Sequence, residues 1–312
     1  MEFVLLFPGQ GSQKPGMGKD LYDTFPAARA AFDDADKALG TPISTVCFNG
    51  PAELLTETHN AQPALLTHGA AVWATVREKI GARVKAAAGH SLGELTAYHA
   101  AGSMSLADAV RLVRRRGHLM FESGVKRPGS MAAILGDPKE PIEAICARAT
   151  AEAGLVSPAN YNSPGQVVIS GEDAGVERAM ALAKDAGAKR AIKLNVSGAF
   201  HSALMESALD GFTQAIGSIA FSDPRFPVFA NVDGSPVTKA HRARDVLQKQ
   251  ITSPVRWSDE VTALATAYPS ATYVEMGPGS VLVGLVRKIA PELRTMTCGT
   301  AAEVTQLLEL AA

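Results

Sequence analysis

Short apolar runs alternate along the chain with longer stretches of helical periodicity. FVLLF at Phe3–Phe7 precedes a helical pattern from Ala61 to Lys79, and VKAAAG at Val84–Gly89 precedes one from Leu92 to Ala101. Further on, FPVFAN and TYVEM are again apolar runs with helical stretches behind them. Runs this short read as strands, and their alternation with helices implies parallel βαβ units whose sheet is covered on both faces. The main body is therefore expected to be α/β.

Between about Gly129 and Val196 the rhythm changes. MAAILG reads as a strand and KEPIEAICARATAEAG as a helix; LVSPANYN and QVVISG read as two strands about the turn Ser163-Pro164-Gly165. A second helix, AGVERAMALAKDAG, and a last strand, KRAIKLNV, complete the order βαββαβ, which is the ferredoxin-like pattern. Arg127-Pro128-Gly129 and Ser197-Gly198 flank it. The expected organisation is a large α/β domain of residues 1–127 and 198–312, with a small subdomain of residues 128–197 inserted in it.

Composition narrows the function classes. With 312 residues and 46% hydrophobic content, the chain can bury a sizeable core. Lys+Arg 30 against Asp+Glu 31 leaves a formal charge of -1, so no global basic field exists to hold nucleic acid or an anionic membrane. Any charged partner must be met by a local patch. Cys47, Cys146 and Cys298 are isolated and lack ligand spacing, which argues against a disulfide framework or structural zinc and points to a reducing, cytoplasmic setting. The run Phe3–Phe7 has no basic flank and is too short for a signal or a span; no other segment approaches a membrane helix.

Candidate chemistry centres on Gly89-His90-Ser91-Leu92-Gly93. A serine between glycines, after a strand and before a helix, fits the nucleophile elbow. The helix start also supplies free backbone N–H groups, notably that of Leu92, for a developing oxyanion. A Gly-flanked turn with a capping serine has the same pattern, so the motif alone does not decide. A serine nucleophile needs a base, and histidine is the usual one near neutral pH. Of seven histidines, His59 lies in a polar loop, His68, His99 and His118 in helical patterns, and His241 among charges. His90 adjoins Ser91, so its side chain should point elsewhere. His201, on a tight turn where the strand KRAIKLNV ends and a helix begins, is favoured, because strand-end loops are where α/β proteins assemble sites.

The turn Pro8-Gly9-Gln10-Gly11-Ser12 follows the first strand but has Lys14 where a dinucleotide fingerprint wants Gly, and no GK[ST] for a P-loop. It fits better as a loop offering a second oxyanion N–H, from Gln10. A helix from Ser105, with Asp108 placed for a capping box, carries Leu106, Val110, Val113, Gly117 and Met120 as one apolar stripe. Arg111 and Arg115 project away from that stripe, whereas Arg114 and Arg116 fall on its opposite margins. Periodicity lets either of the latter two face inward.

Taken together, FPGQGSQ, AQPALL, GHSLGE, RRRGHLM, GSMAAILG, the AFHS stretch, QITSPVRW and EMGPGSVL resemble one family over nearly the whole chain: the malonyl-CoA:acyl carrier protein transacylases of fatty-acid synthesis, related to polyketide-synthase acyltransferase domains. The resemblance implies a hydrolase-like α/β domain carrying a ferredoxin-like subdomain. It implies Ser91 as nucleophile, His201 as base, and the backbones of Gln10 and Leu92 as oxyanion donors. Arg116 is implied as the residue that binds the malonyl carboxylate, with Gln62, Phe200 and Met120 lining the substrate site. The histidine is implied to be oriented by a backbone carbonyl of the segment Gln250 to Trp257, assigned to Ser253, so that no acidic third member is required. Two departures stand out: Ser253 where some members have Asn, and Ala61 where Thr is frequent.

The resemblance further implies a ping-pong transfer from malonyl-CoA to the phosphopantetheine thiol carried by an acyl carrier protein, without metal or other cofactor. A buried guanidinium selects an acyl group with a distal carboxylate, and Phe200 beside the base accompanies malonyl use in the related domains. The partner is expected to be acidic and to dock near a basic patch that can include Arg111 and Arg115, and the chain is expected to be a monomer. The alternatives left open are the same transfer for a polyketide or malonate decarboxylase system, and a serine hydrolase or thioesterase.

Overall fold

The computed structural model describes residues 1–312. Its larger sheet has six strands in the order β10-β9-β1-β2-β7-β8. The innermost are β1 (Phe3–Phe7) and β2 (Val84–Gly89); β7 (Val228–Phe229) and β8 (Pro236–Val237) lie on one side, and β9 (Thr272–Glu275) and β10 (Arg294–Thr297) on the other. All pairs are parallel except the short β7–β8 hairpin. All five residues of β1 are buried because both faces are covered. Phe3, Leu5 and Phe7 enter one large core, while Val4 and Leu6 enter a second on the opposite face. The expected strand in FPVFAN shortens to two residues and returns as a hairpin before the next helix, Ala240–Gln250.

The second sheet is antiparallel and four-stranded, in the order β4-β5-β3-β6: β3 (Ser130–Leu135), β4 (Val156–Ser163), β5 (Gln166–Gly171) and β6 (Arg190–Lys193). Helices Ile142–Glu152 and Asp173–Asp185 pack on one face around Ile134, Ile145, Ile169, Val176 and Leu182, giving this unit its own core. Sequential order and sheet order are together those of a ferredoxin-like unit. The fold is thus the expected α/β body with a small antiparallel subdomain. Besides the two chain junctions, a third seam joins the small sheet to the large body: Tyr161 N–H donates to the Val255 carbonyl at 2.9 Å, and Val255 N–H to the Ala159 carbonyl at 2.8 Å.

Helix Leu106–Lys126 begins with Ser105 as N-cap, its hydroxyl accepting from the Asp108 N–H at 3.1 Å. The expected reciprocal box does not close: the Ser105 hydroxyl donates to the Asp108 carboxylate instead. A full capping box occurs at Thr300 and Glu303.

Candidate active site

Phe7 and Gly89 are register partners at the carboxyl ends of β1 and β2, so the turns that follow them emerge side by side. Ser91 has φ 54° and ψ -109°, and His201 has φ 57°; they are the two non-glycine residues in the positive-φ region. Such conformations cost energy and persist only where surroundings impose them. At the elbow the constraint is close backbone packing. A Cβ on Gly89 would stand 2.0 Å from the Gly93 carbonyl, and one on Gly93 would stand 2.1 Å from the Phe7 carbonyl oxygen. Glycine at both positions lets helix Leu92–Ala100 start directly against β1 and aims Ser91 outward.

The Ser91 Oγ lies 2.8 Å from His201 Nε2. On the other side of the ring, Nδ1 faces two carbonyl oxygens, Gln250 at 2.9 Å and Ser253 at 3.2 Å. Carbonyls only accept, so Nδ1 carries the proton and Nε2 is left to accept from the serine hydroxyl. The orienting role assigned to Ser253 is therefore shared, and Gln250 makes the shorter contact. Burial, followed by the nearby positive charge of Arg116, lowers the His201 pKa to about 3, so the imidazole is neutral at neutral pH.

Arg116 is buried inside the same cluster. It donates to Gln62 Oε1 at 2.8 Å, to Gln250 Oε1 at 2.9 Å and to Ser91 Oγ at 3.1 Å. All three partners are neutral, and its Nε has none. Burial brings its pKa down to about 10, which leaves it cationic at neutral pH. Arg114 instead turns to the surface margin and donates to Asn60 Oδ1. The tie that periodicity left between the two arginines is resolved by packing against helix Thr58–Ile80, where Gly117 sits over the backbone of His59. Arg111 is committed to the Ala38 carbonyl and Asp108, and neither it nor Arg115 lines the cavity.

That cavity, of about 200 Å³, lies where the two sheets meet. Gln10, Gln62, Leu92, Met120 and Phe200 line it from the large body; Met131, Asn160 and Leu194 line it from the small unit. Gln62 Nε2 contacts Met120 Sδ at 3.5 Å, and Gln10 Nε2 donates to Thr58 Oγ1 at 3.3 Å. His90 points away from Ser91 and meets Asn162 Oδ1 at 2.8 Å. No group of His, Cys, Asp and Glu side chains is disposed to hold a metal ion.

Comparison with known proteins identifies the family. A family model described as acyl transferase domain matches residues 4–304. The malonyl CoA-acyl carrier protein transacylase of Bacillus subtilis (strain 168) is 46% identical over 295 residues, covering 95% of this chain and 92% of that protein. Its counterpart in Escherichia coli (strain K12) is 42% identical, with 99% of each chain covered. The chain belongs to the malonyl CoA-acyl carrier protein transacylases. Among solved transacylase structures, the acyl-carrier-protein-S-malonyltransferase of Bartonella henselae superposes with a TM-score of 0.93 at 42% identity, covering 100% of this chain and 99% of the other. A malonyl-transacylase solved in complex with a type II PKS acyl-carrier protein does so with 0.93 at 40% identity, covering 99% of this chain and 100% of the other.

Several groups in this transacylase site were not singled out from sequence. The Gln250 side chain reaches Arg116, Ser91 and Glu94 at once, while Asn231 and Glu260 lie behind the elbow. Glu94 carried a usable signal: it is a lone acid in the apolar helix LGELTAYHA, and buried acids require partners. Gln250 opens the QITSPVRW segment, but nothing there pointed to a role for its side chain; Asn231, past the end of β7 between Ala230 and Val232, carried no signal.

Proposed function

We propose that this chain transfers a malonyl group from malonyl-CoA to the phosphopantetheine thiol of acyl carrier protein through a malonyl-Ser91 intermediate. His201 Nε2 takes the Ser91 hydroxyl proton as Oγ attacks the thioester carbonyl carbon. The backbone N–H groups of Gln10 and Leu92 receive the oxyanion. The carbon–sulfur bond breaks, and the CoA sulfur leaves with the proton held by His201. The carrier thiol then gives its proton to the same nitrogen, attacks the ester carbonyl and returns Oγ and its proton to Ser91.

The observation that carries the malonyl assignment is Arg116, a buried cation hydrogen-bonded only to neutral groups and 3.1 Å from Ser91 Oγ. In a malonyl ester the carboxylate sits one methylene beyond the ester carbonyl, within reach of that guanidinium. An acetyl group leaves the cation unpaired, and removing one partner of a buried pair costs about 3–5 kcal/mol, roughly a hundredfold or more in preference. Pairing also offsets the positive charge that depresses His201, so the right substrate strengthens its own base. Residues 1–127 and 198–312 supply the reacting groups in this reading, and residues 128–197 close the cavity. We assign the activity to fatty-acid synthesis in the cytoplasm, with the enzyme acting as a monomer. No helix is long and apolar enough to cross a membrane.

The deciding experiment is brief incubation with malonyl-, methylmalonyl- or acetyl-CoA, followed by intact mass spectrometry. A malonyl adduct on wild type that is absent from Ser91→Ala and discharged by holo carrier protein is the expected result. No adduct, or rapid hydrolysis of malonyl-CoA indifferent to carrier protein, overturns the reading.

A further inference from the structure

Behind the elbow lies a buried polar cluster whose members, apart from the Gln250 already met beside His201 and Arg116, take no part in the transfer steps. Asn231, just past the end of β7, is fully buried, as are Glu94, Gln250 and Glu260. The Asn231 amide makes four hydrogen bonds. Its Oδ1 accepts from Ser91 N–H at 2.8 Å and from Gln250 Nε2 at 3.1 Å; its Nδ2 donates to the Gly89 carbonyl at 2.8 Å and to Glu260 Oε1 at 3.0 Å. Ser91 N–H can only donate and the Gly89 carbonyl can only accept, so the amide has one permitted orientation. It thereby grips the backbone on both sides of His90. β7 ends before it could pair with the elbow, and the Asn231 side chain supplies the hydrogen bonds that a longer strand would have made. The Asn231 backbone is pinned in turn: its N–H donates to Glu94 Oε2 at 3.1 Å, and its carbonyl accepts from Arg256 N–H at 2.8 Å.

We propose that Asn231 is a positioning residue for the acyl transfer, its amide fixed by Glu260 and Gln250 and its backbone by Glu94, so that the strained Ser91 turn is held in its reacting geometry. The proposal rests on Ser91 being the acylated residue. Ser91 at φ 54° relaxes unless its N–H and the Gly89 carbonyl are both engaged, and relaxation displaces Oγ from His201 and the Leu92 N–H from the oxyanion together. Glu260 contributes an acceptor, not a charge. Burial raises its pKa well above the usual carboxylate value, and no cation is bonded to it, so a neutral amide of the same shape can replace it.

The test measures single-turnover formation of malonyl-Ser91 and its discharge by holo carrier protein in Asn231→Ala, Asn231→Asp, Glu260→Gln and Glu260→Leu, with KM for malonyl-CoA and thermal melting recorded alongside. In Asn231→Ala both half-reactions slow by the same factor, about tenfold to a hundredfold, while KM stays within about threefold. Asn231→Asp is worse, since it loses both donors and adds a third buried acid. Glu260→Gln recovers most of the rate that Glu260→Leu loses. Wild-type half-reaction rates in folded Asn231→Ala overturn the proposal, as does a loss confined to KM. Should Asn231→Ala not fold, equal rates in Glu260→Gln and Glu260→Leu overturn it as well. Wild-type enzyme is the control for the underlying reading: if it forms no malonyl-Ser91, that reading fails rather than this one.

Discussion

Ser91 and His201 share an unusual backbone conformation but reach it by opposite means. The Ser91 turn is built where two central parallel strands end, and its glycines are pressed against Phe7 and against each other with no room for a methyl group. The His201 turn follows the edge strand of the small sheet, and its ring is aimed by two carbonyls contributed from Gln250 and Ser253, far along the chain. The nucleophile is held by close backbone packing backed by the Asn231 amide, the base by two carbonyls of a distant segment. The packing of the glycines at the first is hard to perturb without losing the fold. Geometry at the second can be lost while the fold survives.

The sharpest way to separate the two is to remove the base. His201→Ala is expected to slow malonyl-Ser91 formation by about a hundredfold to ten-thousandfold, with far-UV circular dichroism unchanged, as rapid-quench mass spectrometry can establish. Arg116 belongs to both sides, since it touches Ser91 Oγ and the Gln250 whose carbonyl aims His201. Arg116→Ala should cut the preference for malonyl over acetyl loading by about a hundredfold to a thousandfold, with acetyl loading retained or raised; an unchanged preference would mean that another group reads the carboxylate.

Glycine replacements probe the packing directly. A Cβ at Gly93 meets backbone at 2.1 Å, whereas one at Gly198 comes no closer than 3.3 Å to its neighbours. Gly93→Ala should therefore lower stability by about 1–3 kcal/mol or more, and Gly198→Ala by clearly less, as denaturant melts will show. Equal losses would erase the contrast.

The smallest expected effect concerns pH. His201 is held at about 3 when folded, so its base form persists and the loading rate should show no acid limb near pH 6.5. Stability behaves differently on the two sides. The unfolded chain protonates His201 near its ordinary value while the folded chain does not, so this group destabilises the fold as pH drops from about 6.5 towards 3. Glu94, raised to about 7 chiefly by burial, keeps its proton in the folded state after the unfolded chain has released it. Its contribution to stability therefore falls as pH rises from 4.5 to about 7. Melting curves of His201→Ala and Glu94→Gln across this range should flatten on the acid and the neutral side respectively.

The same contrast explains what the sequence discloses. Phe3–Phe7, Val84–Gly89 and the elbow between Gly89 and Gly93 were legible because local pattern and local structure coincide there. The inserted βαββαβ order was legible for the same reason. Arg116 could not be told from Arg114 by periodicity, because the choice depends on how helix Leu106–Lys126 meets helix Thr58–Ile80. The division of the His201 contact between Gln250 and Ser253, and the bonds of Asn231, depend on segments brought together only by the complete fold. No periodicity records such meetings.

The seam at Val255 bears on modular exchange. A chimaera that swaps the small unit by cutting only at its two chain junctions would leave behind the third attachment, where Val255 pairs with Ala159 and Tyr161. Val255 lies two residues beyond Ser253, so a donor unit with a different β4 edge would shift the very carbonyls that aim the imidazole. Exchange of the small unit thus has to move the stretch from Gln250 to Val255 together with the small sheet, as one transplantable part.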